Sequence, residues 1–127
     1  MPHLTIDSRK DCYILDKNRM EAHESGDSST SLEPGLYVIR ISKGSFRYWT
    51  QDQKFAGEPW VLLWIFGGKF INNKTNVQVG ASWSSLNGYD DTLTLEILET
   101  AKLCALFLDT YAEDNSGEVT LSIFKEA

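Results

Sequence analysis

The sequence predicts an all-β protein, an antiparallel β-sandwich or jelly roll of about eight strands. Short runs in which apolar and polar residues alternate recur at regular spacing, and turn residues separate them. The runs are rich in β-branched and aromatic residues, and none sustains a helical period. A chain of 127 residues is the length of one domain. Within it we expect residues 1–32 to form short strands and a polar mobile loop, and residues 33–127 to form the sandwich core.

The elements follow from the positions of these runs. The runs at residues 4–7 and 12–16 are each long enough to form one weak strand. The polar stretch 17–31 has little to bury, so its second half is predicted to be a mobile loop, and residues 20–23 could form a helical turn. The other strands are predicted at residues 36–42, 45–50, 60–66, 69–72, 76–83, 91–98, 102–109 and 119–123.

The run at residues 60–66, WVLLWIF, is apolar on both faces of a strand. This pattern predicts a strand that is buried on both sides or that lies at the seam between two subunits. Gly67 and Gly68 are expected to end the strand.

Tryptophans are frequent in this chain, which contains four of them. Trp60 and Trp64 share one strand face, which favours the core or a subunit interface. Trp49 stands at a predicted strand end beside a polar loop. It is therefore the best candidate for an exposed aromatic platform that contacts a sugar.

The charge and hydropathy of the chain disfavour several functions. A formal net charge of −6 argues against nucleic acid, because binding to phosphates needs a basic surface. The longest apolar run is strand-sized, so no membrane span is predicted. The N-terminus lacks the apolar core of a secretory signal, which predicts a cytoplasmic protein or one exported without a conventional signal peptide. Cys12 and Cys104 match no metal-binding spacing, and they either pair or remain free thiols.

Catalysis is not predicted. The two histidines, His3 and His23, both lie in the polar N-terminal part, so neither a nucleophile with a histidine base nor a zinc site is indicated. No glycine-rich phosphate loop is present. A pair of catalytic carboxylates among the 18 acidic residues is the remaining enzymatic alternative.

An oxygen-rich loop separates the last two predicted strands. It follows Asp109 and contains Asp114, Asn115, Ser116 and Gly117. Side-chain and backbone oxygens held between two strands suit a hard cation such as Ca²⁺, which takes about six to eight oxygen ligands. The same residue types are ordinary turn formers, so a plain hairpin turn is the alternative.

Two segments of the chain resemble the PA-IL-type galactophilic lectins, which are small calcium-dependent bacterial β-sandwiches that bind galactosides. The first segment is EPGLYVIRISKGSFRYWTQDQ, in which the matching residues are Pro34, Gly35, Gly44 and Tyr48. The second segment is LFLDTYAEDNSGEVTLSI, in which the matching residues are Asp109, Asp114, Asn115, Ser116 and Gly117.

The resemblance implies a calcium site and a sugar site. The implied calcium ligands are the carbonyl of Tyr48, the side chains of Asp109, Asp114 and Asn115, and the carbonyl of Thr110 or Tyr111. The implied carbohydrate-binding residues are Trp49, Gln51, Gln53, Asp109 and Asp114. The chain departs from the family by a shorter calcium loop, by an Asp in place of an Asn at position 114, and by the absence of the family's sugar-contacting His. A galactose specificity that has changed or been lost is therefore expected.

The resulting expectation is a calcium-dependent, non-catalytic carbohydrate-binding protein that forms a homo-oligomer. Oligomerisation would raise a weak monovalent affinity through avidity. The alternative is a metal-free β-sandwich that serves as a structural or protein-interaction module.

Overall fold

The computed structural model describes residues 2–48, 56–109, 112–113 and 115–126. Its elements are α1 (Lys17–Glu24), β1 (Ser29–Leu32), β2 (Gly35–Gly44), β3 (Trp60–Asn72), β4 (Val77–Asn87), β5 (Thr92–Ile97), β6 (Ala101–Leu106) and β7 (Val119–Glu126). The seven strands belong to one sheet of order β1-β6-β3-β5-β2-β7, with β4 paired to β3 outside this path. Every strand pairing is antiparallel. The prediction of an all-β protein is confirmed.

The sheet curls into a half-barrel, and β3 changes its partner along its length. The first part of β3 pairs with β6, and residues Phe70, Ile71 and Asn72 pair with β5. The bend lies at Gly67, whose φ is 92°, and at Gly68. A β-carbon on Gly68 would lie 2.3 Å from the carbonyl oxygen of Thr100, so only glycine permits this approach. The predicted strand break is therefore wrong, because the two glycines bend a continuous strand.

The hydrophobic core lies inside the curl. Alternate residues of β2, β3 and β5 are buried there, as alternation predicts for a sheet with one covered face. The fully buried side chains include Ile39, Ile41, Leu63, Ile65, Phe70, Leu93 and Leu95. Side chains from the β3–β6 half and from the β2–β5 half form one cluster, so the two halves of the curled sheet stabilise each other.

Only one face of the apolar run at residues 60–66 lies in this core. The buried side chains are Val61, Leu63 and Ile65, and the half-buried side chains on the opposite face are Trp60, Leu62, Trp64 and Phe66. The prediction of a strand buried on both sides is wrong for the single chain. The alternative, a seam between two subunits, stays a prediction.

Residues 2–16 form no strand. The Asp7 carboxylate organises a turn instead, because it accepts the N–H groups of Arg9 at 2.9 Å and Lys10 at 2.8 Å. The short strands predicted at residues 4–7 and 12–16 are therefore wrong. An apolar run becomes a strand only where a neighbouring strand supplies hydrogen bonds, and neither segment has such a neighbour.

The polar stretch 17–31 contains α1 and most of β1 rather than a loop alone. Asp16 caps α1, and its Oδ1 accepts the N–H groups of Asn18 at 2.8 Å and Arg19 at 3.3 Å. The helix buries none of its residues. It is joined to the sheet by a 2.7 Å hydrogen bond between His23 Nε2 and the Ala105 carbonyl oxygen. The predicted helical turn therefore extends to eight residues.

The structure also bears on three further predictions, which concern the cysteines, the strand at residues 45–50 and a membrane span. Cys12 is exposed, Cys104 is buried, and both are free thiols, so the pairing alternative is wrong. Of the strand predicted at residues 45–50, the structure describes residues 45–48, where Phe46 and Arg47 form isolated bridges. In the described part of the chain, no helix has the length and apolarity needed to cross a membrane.

Candidate cation and ligand site

Three separate segments meet at one end of the half-barrel. Arg47 and Ser116 exchange two backbone hydrogen bonds, of 2.9 and 3.0 Å. The Tyr48 hydroxyl donates to the Leu108 carbonyl oxygen at 2.6 Å. These bonds hold residues 45–48 to the segment that follows β6 and to the segment that precedes β7.

Two glycines allow the segments to approach so closely. A β-carbon on Gly117, whose φ is 94°, would lie 2.2 Å from the Ser45 carbonyl oxygen. A β-carbon on Gly44, whose φ is 98°, would lie 2.1 Å from the Glu118 carbonyl oxygen. Both positions therefore require glycine, for the positive φ and for the space. Both are among the three glycines, Gly35, Gly44 and Gly117, in the two segments that resemble the lectin family.

A cluster of aromatic rings packs around Phe46, next to Tyr48. The Phe46 ring stacks on Phe107 with centroids 3.9 Å apart, and it meets the Tyr48 ring edge-on at 4.7 Å. Trp60 meets Phe107 edge-on at 5.4 Å. Packing of this kind restricts the side chains next to the loop.

Asp109 lies near the Tyr48 phenol. Burial is the largest cause that raises the pKa of Tyr48 above its usual value of 10.0, and the negative charges of Asp109 and then Glu58 add to it. The phenol therefore stays protonated near neutral pH and remains a donor to the Leu108 carbonyl.

A cavity of about 590 Å³ lies between α1 and the end of the sheet, and we call it the α1 cavity. Its apolar lining includes Met20, Phe46, Val61, Leu106, Phe107 and Leu121. Its polar lining includes Asp16, Arg19, His23, Asp109 and Asn115. The volume is within the usual range of small-molecule sites. Two of the predicted cation ligands, Asp109 and Asn115, therefore face one space.

Asn115 carries an unpaired acceptor. Its backbone N–H donates to the Ala112 carbonyl oxygen at 3.1 Å, but its side-chain Oδ1 is buried and has no hydrogen-bond partner among the residues that the structure describes. A buried acceptor without a partner costs about 1–3 kcal/mol, so such atoms are rare. A cation bound to this oxygen would remove that cost. The oxygen atoms of Asn115 and Asp109 are of the kind that Ca²⁺ takes as ligands.

The structure brings together three of the predicted site residues, Tyr48, Asp109 and Asn115. The other predicted positions, which are Trp49, Gln51, Gln53, Thr110, Tyr111 and Asp114, lie outside the described residues. Among the residues that are described, no group of three or more His, Cys, Asp and Glu side chains is arranged to hold a metal. A cation at this loop would therefore depend on amide and carbonyl oxygens as well as on Asp109.

Sequence reasoning missed the part that α1 has in the site. Arg19 and His23 extend from α1 to the cavity lining, and His23 bonds to β6. Asp16 was the available signal, because Asp is a favoured N-cap residue. No sequence signal indicated that His23 reaches the Ala105 carbonyl 82 positions away.

Arg47 is the second residue with an unpaired buried atom. Its Nε is bonded to none of the described residues, although its backbone pairs with Ser116, the neighbour of Asn115. The donor therefore belongs to one residue of this bridge, and the acceptor belongs to the residue that precedes the other.

Comparison of the chain with protein-family models, with curated proteins and with solved structures finds no match.

Proposed function

We propose that this protein binds carbohydrate through Ca²⁺ and does not catalyse a reaction. The observation that carries the proposal is the buried Oδ1 of Asn115, which no described residue pairs by a hydrogen bond. It lies in a residue that lines the same cavity as Asp109. The proposed cation ligands are Asp109, Asn115 and the Tyr48 carbonyl, together with Asp114 and Tyr111.

The ligand set supports calcium rather than a softer metal. Carboxylate, amide and carbonyl oxygens are the groups that Ca²⁺ prefers, whereas zinc is usually held by His and Cys. The single described histidine in the cavity lining, His23, already bonds to the Ala105 carbonyl. When bound, Ca²⁺ supplies open coordination positions that sugar hydroxyls can occupy.

The chain itself supplies hydrogen bonds and apolar contact to the sugar. Asp109 is exposed and negatively charged, so it can accept a hydrogen bond from a sugar hydroxyl, and charged acceptors make stronger bonds. The apolar lining of the α1 cavity lies directly beside it. Trp49, Gln51 and Gln53 complete the proposed carbohydrate site.

The proposal includes a sandwich-like arrangement of the core. β3 and β4 run through both halves of the curled sheet, and the two halves bury one cluster between them. Strands that pass from one layer to the other through a bend are a known way to join two packed sheets.

The test is a glycan array and titration calorimetry, each with calcium and with chelator. We expect binding of sugars with vicinal hydroxyls in calcium, and its loss in chelator and in Asp109→Asn. Asp90→Asn is the matched control, because Asp90 is an exposed carboxylate in the turn after β4. Sugar binding that persists in chelator would contradict the calcium mechanism, and an array without binding would contradict the carbohydrate assignment.

A second candidate function, a protein-interaction module, is favoured by one aromatic surface. Trp64 stacks on Trp83 with centroids 4.8 Å apart and on Phe66 at 5.7 Å, and Trp83 is 41% exposed. Exposed apolar clusters often mark protein interfaces. In this alternative, Trp83→Ser would remove binding of the partner protein, and Asp109→Asn would leave it unchanged.

A further inference from the structure

The half-barrel has an open side where its two outer strands face each other. β1 and β7 are the ends of the strand order, so each has one edge without a strand partner among the described residues. A groove of about 480 Å³ lies between them, and we call it the edge groove. Its lining includes Ser28, Thr30, Leu103, Thr120, Leu121 and Ile123.

The core is incompletely covered at this groove. Leu121 and Ile123 lie opposite Ile41 and Ile39 in the register of β7 with β2, so they point to the core side of the sheet. Ile39 and Ile41 are 0% exposed, whereas Ile123 is 38% exposed. Ile123 therefore leaves apolar surface at the open edge of the core, and a segment docked in the edge groove would bury it.

The N-terminal arm, residues 2–16, exposes apolar side chains and so complements the incompletely covered groove. Four large apolar side chains of the arm are almost fully exposed, and they are Leu4, Ile6, Tyr13 and Ile14. The hydrogen bonds described for the arm before Asp16 lie within its own turn at residues 7–11. The arm therefore has apolar groups to bury and backbone groups to pair.

We propose that the N-terminal arm of a second copy of this chain docks as an extended segment in the edge groove, and that two copies exchange arms. Free strand edges accept an added strand through backbone hydrogen bonds, and the side chains that alternate along it reach the groove floor. Leu4 and Ile6 alternate in this way. The exchange is reciprocal, so it forms a closed dimer.

Charge and position both support the arm as the occupant. Asp27 and Glu118 line the edge groove, and the basic side chains nearest the alternating residues of the arm are Arg9 and Lys10, which stand between Asp7 and Asp11. The arm joins α1 at Asp16, which lines the α1 cavity. The α1 cavity and the edge groove share lining residues, among them Ser28 and Leu121, so the arm begins close to one end of the groove.

The test measures the mass of the full chain by light scattering after size-exclusion chromatography, over a wide range of concentrations. We expect a dimer. The double change Leu4→Lys/Ile6→Lys should raise the dimer dissociation constant at least about tenfold, because it removes both arm anchors. Thr5→Lys is the control, since Thr5 lies on the other face of the same alternation.

The groove is tested in the same way. Ile123→Lys should weaken the dimer, whereas Phe124→Lys should not, because Phe124 pairs with Val38 and points to the opposite face of β7. An equal mixture of the arm variant and the Ile123→Lys variant should associate, because one intact arm then meets one intact groove. Circular dichroism and thermal melts verify that each variant folds.

Two results would overturn the proposal. The first is a wild-type protein that is monomeric at every concentration. If the arm variant of such a monomer also melts at a lower temperature than the wild type, the arm docks in the groove of its own chain. The second is a dimer that neither the arm variant nor Ile123→Lys weakens. The arm variant keeps the test decisive if Ile123→Lys does not fold, because Leu4 and Ile6 are exposed in the single chain.

Discussion

The Tyr48 hydroxyl donates a 2.6 Å hydrogen bond to the carbonyl oxygen of Leu108, 60 positions further along the chain. Leu108 immediately precedes Asp109, and Tyr48 immediately follows Arg47, which pairs with Ser116. This contact therefore connects the two segments from which the proposed cation ligands come. The arrangement of these two segments therefore depends on a Tyr48 hydroxyl that stays protonated.

Removal of this phenol should destabilise the fold modestly. We expect Tyr48→Phe to lower the free energy of unfolding by about 1 kcal/mol, the usual net value of one hydrogen bond. Urea denaturation measures the change. Tyr13→Phe is the control, because Tyr13 is 95% exposed, and its stability should match the wild type. Equal stability of all three proteins would show that the bond does not hold the segments together.

The same phenol predicts how stability depends on alkaline pH. The pKa of Tyr48 is raised in the folded state by burial and then by Asp109 and Glu58, so the folded protein holds this proton more tightly than the unfolded chain. Its contribution is complete below the ordinary tyrosine pKa and is lost as pH rises through the folded-state pKa. Wild type should therefore lose more stability than Tyr48→Phe above about pH 10. Parallel urea titrations that show identical losses would contradict this account.

Gly117 should not tolerate a side chain. Gly117→Ala places a β-carbon 2.2 Å from the Ser45 carbonyl oxygen at a φ of 94°. Strain of this kind costs about 1–3 kcal/mol before the clash is included. Gly80→Ala is the control, because no atom lies within 4 Å of its β-carbon position and its φ is ordinary. We expect a large fall in melting temperature for Gly117→Ala only, and equal melting temperatures would show that the loop has another conformation.

Asn115→Ala should have opposite effects with and without calcium. In chelator the change removes a buried acceptor that pairs with no residue in the described part of the chain, so stability should stay the same or rise. In calcium it removes a proposed ligand, so the variant should gain less stability than wild type. Thermal melts in both conditions measure the difference. A loss of stability in chelator would mean that Oδ1 has a partner in the apo protein.

The regular strands can be predicted from the sequence, because alternation of apolar and polar residues indicates a sheet with one covered face. β5 follows that rule along its full length, and β2 follows it from Leu36 to Ser42. The continuation of β3 through its two glycines could not be predicted, because a glycine that ends a strand and a glycine that bends one are the same in the sequence. Only the contact of Gly68 with the Thr100 carbonyl distinguishes the two cases.

The same limit applies to α1 and to the site. α1 has no apolar stripe, and it is positioned by its cap and by the bond of His23 to Ala105. The resemblance predicted that Tyr48, Asp109 and Asn115 lie together. Neither the unpaired Oδ1 of Asn115 nor the α1 cavity could be predicted, because both depend on the packing of segments that are distant in the chain.

Calcium binding at the Asp109–Asn115 loop is most directly tested by thermal melts in excess calcium and in chelator. Three proteins are compared, the wild type, Asp109→Asn and Asp90→Asn. Calcium at about 100 times its dissociation constant adds about 2.7 kcal/mol to a folded state that alone binds it. We predict that calcium raises the melting temperature of wild type and Asp90→Asn and that Asp109→Asn loses this shift. The same melting temperature in calcium and in chelator for the wild type would contradict the calcium site.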